Sequence, residues 1–136
     1  MVDNVPPSVT WEALRSQPAA QLVDVRTDAE WVYVGVPDLT VANKRIVLIP
    51  WQLYPEMSVN RDFVAQMQQA GLTPDDHIYF ICRSGVRSLA AAQAARDAGF
   101  RHVYNVADGF EGPIDPQGHR GRAAGWKADG LPWRQK

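Results

Sequence analysis

The sequence predicts an α/β fold, a central parallel β-sheet flanked by helices on both faces. Two observations carry that expectation. Short β-prone apolar runs alternate along the chain with segments of helical periodicity, the pattern of parallel strands joined by crossover helices. One of these runs, Ile78 to Ile81, passes through Cys82 and a small polar and glycine loop straight into an alanine-rich helix former, Leu89 to Ala98.

Taken in order, the residues before Pro7 read as a loose lead-in. Val9, Trp11 and Leu14 recur at helical spacing up to Arg15, with Ser8 or Thr10 as N-cap, and Pro18 closes that helix. Leu22 to Arg26 is a strand that hands over to a brief helix, because Thr27-Asp28-Ala29-Glu30 has the Thr-x-x-Glu form of a capping box. Gly35-Val36-Pro37-Asp38 and Asn43-Lys44 are turns, and Arg45 to Ile49 is continuous enough in apolar residues to be a buried strand ended by Pro50. Trp51 to Ser58 reads as loop. Asn60 caps a helix with Phe63, Val64 and Met67 on one face, and Gly71 stops it. After the strand at 78 to 81 and its helix, Gly99 terminates, His102 to Val106 is a last strand, and Asp108 to Gly112 is a turn. The segment 113–136 is an irregular tail packed on the domain, holding Trp126 and Trp133.

At 136 residues the chain has the size of one domain, and no linker divides it. Apolar residues make up 46% and charged residues 21%, a globular composition with a formal net charge of -1. That balance gives no electrostatic case for nucleic acid or an anionic membrane. One cysteine excludes an intramolecular disulfide and suits a reducing compartment. The amino terminus carries neither a basic start nor an apolar core, and no run approaches a membrane span. A soluble, cytoplasmic protein is expected.

The chemistry concentrates at Cys82. At the carboxyl end of a strand and beside the free amides that open the next helix, its thiol meets conditions that favour an anion, and Arg83 and Arg87 add positive charge. Gly85 permits the positive φ that bends Cys82 to Arg87 into a bowl with inward amides. Arg87 would grip a small oxyanion at the far rim, Arg83 would screen charge at the mouth, and the hydroxyls of Ser84 and Ser88 would donate to the sulfur. With Val86 these residues form the expected substrate-binding set around a catalytic Cys82. No metal is called for. His77 and His102 read as ordinary edge residues, since a thiolate already formed needs no histidine beside it. Asp24 reads as a capping or arginine-paired carboxylate, and Trp31 and Trp51 as candidates to border the mouth.

Cys82-Arg83-Ser84-Gly85-Val86-Arg87 resembles the Cys-Arg-x-Gly-x-Arg active loop of rhodanese-type sulfurtransferases. Leu22 to Arg26 with Glu30-Trp31 resembles that family's first signature, Asn105 to Gly112 its segment after the last core strand, and Gly130-Leu131-Pro132-Trp133 the end of many single-domain members. The resemblance implies a single rhodanese-like domain over 8–134, with 1–7 as lead-in. It also implies a thiolate at Cys82 that takes sulfane sulfur from thiosulfate or a similar donor and passes it to cyanide, a thiol or a sulfur-carrier protein. The intermediate would be a covalent cysteine persulfide, with no other cofactor. The chain departs from the family in lacking the histidine that many relatives carry after the first signature, where it has Gly35-Val36-Pro37-Asp38. His119-Arg120-Gly121-Arg122 lies outside the pattern and reads as a solvated basic loop. Two other functions fit the same fold. One is a binding or sulfur-carrier module without catalysis. The other is a rhodanese-like phosphatase, disfavoured because its loop is one residue longer and here Arg87 comes a residue early.

Overall fold

Apolar periodicity lays down short elements in a regular succession. They run β1 (Asp3–Val5), α1 (Pro7–Ser16), β2 (Ala20–Asp24), α2 (Asp28–Tyr33), β3 (Val36–Pro37), a 3-10 turn (Thr40–Ala42), β4 (Val47–Leu48), β5 (Gln52–Leu53), β6 (Ser58–Val59), α3 (Phe63–Gln69), β7 (His77–Ile81), α4 (Val86–Asp97), β8 (His102–Val106) and β9 (Trp133–Arg134). The computed structural model describes residues 2–53 and 55–135. Met1, Tyr54 and Lys136, placed by the sequence in the lead-in, a loop and the tail, lie outside them.

Five strands form one parallel sheet in the order β1-β8-β7-β2-β4. From β2 the chain first steps outward to β4, then returns to β7 on the other side of β2 and continues to β8. The order therefore reverses between β2 and β7, whose last residues, Asp24 and Ile81, are register partners. A crevice beyond the carboxyl ends of strands at such a reversal is where open α/β sheets bind ligands.

Side chains along β7 alternate between the two faces, as the two-residue period of a strand demands. Ile78, Phe80 and Cys82 join α3 and α4 through Phe63, Met67, Ala91, Ala92 and Ala95, whereas Tyr79 and Ile81 join α1 through Ala13 and Leu14. Helices thus cover both faces, as expected. Each fully buried residue of the size of Phe80 or Ile78 stabilises the fold by about 1.5–3 kcal/mol. Alanines at 91, 92 and 95 let α4 lie close on the sheet.

Several local expectations need correcting. The lead-in is not loose along its whole length, because Asp3–Val5 adds the edge strand β1 beside β8. Pro6 is the N-cap of α1 and Pro7 its first residue, so neither Ser8 nor Thr10 caps it. The expected buried strand at 45 to 49 shrinks to the two-residue edge strand β4, where Leu48 is 42% exposed and only Ile49 is buried. The loop after Pro50 contains the small β5/β6 hairpin. Helix α3 is capped at Asp62; Asn60 instead accepts the Asp62 N–H and donates to Pro50 O and Gln66 Oε1. In the tail, β9 pairs with β3, and Trp126 is fully buried edge-on to Trp11. No helix among the described residues is long and apolar enough to cross a membrane.

Candidate active site

The site begins where β2 ends. Arg26 Nε and Nη2 donate to Asp24 Oδ1 (3.0 Å) and Oδ2 (2.7 Å), Nη2 also to Gly35 O (2.7 Å), and the guanidinium lies 4.3 Å from the centroid of the Phe110 ring. Neither side chain of this pair touches solvent. The carboxylate also accepts the Arg26 N–H, so Asp24 is both cap and arginine partner, as the sequence suggested. The pair ties the end of β2 to the turns at Gly35 and Phe110.

Beside it, β7 delivers Cys82, which is 1% exposed. Its Sγ accepts the Gly85 amide N–H (3.1 Å) and lies 3.2 Å from the Ser88 hydroxyl oxygen. Gly85 has φ +111°, a conformation closed to most side chains, and sits as the N-cap of the 12-residue α4. The chain reverses there, so an amide and a helix N-terminus both face the sulfur, and each favours negative charge on it.

The outside of the loop is fastened by the segment after β8. Cys82 O accepts the Phe110 N–H (2.7 Å), and Arg83 O accepts the N–H groups of Glu111 and Gly112 (3.0 Å each). This approach needs glycine at 109, where a Cβ would stand 2.4 Å from Cys82 O and 2.6 Å from Arg83 O.

The far rim differs from the sequence expectation. Arg87 Nη1 and Nη2 donate to Glu30 Oε1 (2.7 Å) and Oε2 (3.0 Å) in a two-pronged ion pair whose side chains are 18% and 20% exposed. Glu30 belongs to the capping box of α2, which forms as its sequence predicts. Burial alone would push the Glu30 carboxyl up, but the hydrogen bonds and charge of Arg87, with the Thr27 amide and Arg26, hold it below its ordinary value. Burial works against the Arg87 guanidinium too, and Glu30, Cys82 and Asp24 together raise it. An arginine engaged in this way presents less free charge to an incoming anion than an open rim residue would.

Of the residues named from the sequence, Cys82, Gly85 and Ser88 therefore meet at the sulfur, and Arg87 stands at the rim in its ion pair. Val86 points outward, 77% exposed. Arg83 is exposed and contributes its carbonyl as an anchor, and Ser84 is half-buried in the loop and is not among the sulfur's donors. Arg120 donates to Gly112 O, so the basic tail braces the anchoring segment. His77 and His102 stack at the amino ends of their strands, opposite the site. Trp51 packs edge-on against Phe63 in the core. A cavity of about 990 Å³ edged by Arg15, Lys44 and Arg45 includes none of the loop residues. Sequence reading gave no site role to Glu30, Asn105 or Asn4. Buried Asn105 is the hub of an amide relay that ends on exposed Asn4: it donates to Asn4 Oδ1 (2.8 Å) and Gly85 O (3.1 Å) and accepts from Ser88 (2.5 Å). An asparagine between Tyr104 and Val106 in a β-prone run was the available signal.

Fold and site together define a rhodanese-like domain with a cysteine at the sheet's reversal point. A rhodanese-like domain from Anabaena sp. superimposes with a TM-score of 0.67 at 22% identity, over 100% of this chain and 81% of that one. Residues 6–136 match the family described as STR4 middle domain, and the chain belongs to it. The M. tuberculosis protein Rv0390 is similar throughout, at 43% identity and TM-score 0.90 over 99% of this chain and 98% of that one. An uncharacterized RP600 homolog of Rickettsia rickettsii is 38% identical over 98% of both chains. Thiosulfate sulfurtransferase 18 of Arabidopsis thaliana is 34% identical over 73% of this chain and 70% of its own.

Proposed function

We propose that the protein is a sulfurtransferase that carries sulfane sulfur as a persulfide on Cys82. The observation that carries this reading is the sulfur itself, seated at the floor of a loop with the Gly85 amide on it and the start of α4 behind it. Such a setting stabilises a sulfur anion before and after transfer. The name of the Arabidopsis relative points the same way.

The thiolate of Cys82 attacks the outer sulfur of thiosulfate or a related donor. An S–S bond forms to Sγ, the donor's own sulfur–sulfur bond breaks, and its electron pair departs with sulfite. A thiol, cyanide or carrier-protein nucleophile then attacks the outer persulfide sulfur, the Sγ–S bond breaks, and the thiolate returns. No redox partner and no metal enter the balance. The chemistry suits a reducing, cytoplasmic setting with small-molecule or carrier-protein partners and calls for neither nucleic acid nor membrane.

Loading with thiosulfate followed by intact mass measurement tests the reading. One added sulfur per chain, released as thiocyanate by cyanide and abolished in Cys82→Ser, is the expected result. A chain that gains no sulfur from thiosulfate, mercaptopyruvate or glutathione persulfide would overturn it.

A further inference from the structure

The hydrogen bonds around Ser88 do not all point where a simple donor to the sulfur would point. Gly85 O can only accept, so the amide group of Asn105 that faces it at 3.1 Å is the NH2, and its other hydrogen goes to Asn4. The carbonyl oxygen of Asn105 is thereby turned to Ser88 Oγ at 2.5 Å, in a site where Asn105, Ser88 and Cys82 are all buried. Ser88 has one hydroxyl hydrogen and two claimants for it, Asn105 Oδ1 and Cys82 Sγ. The shorter contact belongs to Asn105. With its hydrogen there, Ser88 turns a lone pair to the sulfur and is fitted to accept from an S–H.

We infer that Asn105 is a positioning residue that acts on Cys82 through Ser88, holding the Ser88 hydroxyl as an acceptor that favours the protonated thiol until substrate arrives. In the thiol form the relay Cys82–Ser88–Asn105 is satisfied at every link. In the thiolate form it is not: Ser88 either leaves Asn105 unpaired or faces the anion with a lone pair. The relay thus opposes the Gly85 amide and the α4 terminus, and a resting cysteine is guarded against stray electrophiles. This inference rests on Cys82 being the reacting atom, but its test does not need sulfur transfer.

The test reads the thiol directly, by the rate of iodoacetamide alkylation and by thiolate ultraviolet absorbance, at a pH where the wild-type thiol is partly ionised. The charged groups about the sulfur, Arg83, Arg87, Glu30 on α2, Asp24 at the end of β2 with Arg26 just past it, and Asp108 beyond β8, are the same in every variant. Ser88→Ala is expected to raise the alkylation rate about threefold to tenfold, the worth of one net hydrogen bond. If Ser88 were a plain donor to the thiolate, the same substitution would lower it, so a fall or no change overturns the inference. Asn105→Leu, which frees the hydroxyl for the sulfur, is also expected to raise the rate, and in that background Ser88→Ala should reverse sign and lower it. A structural loosening would not invert in this way. Should Asn105→Leu fail to fold, Ser88→Ala alone decides. Persulfide formation failing in the wild type would overturn the sulfurtransferase reading and leave these rates standing.

Discussion

Glu30→Gln separates the two duties of Glu30. Glutamine keeps the capping box, since its amide oxygen still reaches the Thr27 backbone, but it removes the charge that faces Arg87. An exposed ion pair is worth at most about 1 kcal/mol and breaking a buried one costs about 3–5 kcal/mol. With side chains 18% and 20% exposed and two short bonds, the Arg87–Glu30 pair lies between these limits, and retention of one neutral bond offsets part of the loss. A destabilisation of about 1–2 kcal/mol follows, which for a domain of this size lowers Tm by about 3–8 °C. The dependence on pH has a definite sign. Glu30 titrates lower folded than its ordinary 4.5, so its contribution is present above that value and disappears as the pH falls through the folded one. The gap between wild type and Glu30→Gln should be full at pH 7 and close on acidification below about 4.5. Thermal unfolding across that range measures both. In the same variant the Arg87 charge is no longer neutralised, and thiosulfate loading should gain relative to loading from an uncharged persulfide. Equal melting temperatures at neutral pH would refute the claim that the pair is a structural clamp, and an unchanged donor ratio would refute the claim that the clamp restrains Arg87.

Asp24→Asn leaves the fully buried Arg26 guanidinium without its counter-charge and is expected to cost about 3–5 kcal/mol by chemical denaturation; a loss under about 1 kcal/mol would mean that Gly35 O and Phe110 suffice to hold it. Gly109→Ala drives a methyl group into Cys82 O and Arg83 O, so it should lower alkylation and persulfide yield more than Gly99→Ala, where a Cβ meets nothing within 4 Å. Equal effects of the two glycine substitutions on the cysteine would show that the 109 contact does not shape the loop.

What could be read from sequence alone was local. The strand, loop and helix around Cys82, the capping box at Thr27 and the Asp24–Arg26 contact are all set by residues within a few positions of one another. β1 was illegible for the opposite reason: three residues, two of them polar, become a strand only because β8, far along the chain, offers an edge. β9 needs β3 in the same way, and the tail around Trp126 looks irregular until Trp11 and the Pro132 carbonyl give the indole its surroundings. Arg45 to Ile49 misled because a run of apolar residues does not say how much of it meets a neighbour, and here only two residues pair. At the site, the positions of Cys82 and Gly85 followed from the motif. The partner of Arg87 did not, since any rim arginine looks free until the helix that faces it is placed.

The ceiling over the loop comes from downstream. The carbonyls of Cys82 and Arg83 are gripped by Phe110, Glu111 and Gly112, and those in turn are held by the Trp126 and Gly121 amides on Gly109 O and Glu111 O. A chain that has emerged only as far as α4 already contains every residue of the motif, yet nothing spans its cysteine. The fixed shape of the loop therefore depends on a segment that lies well beyond the motif in the chain.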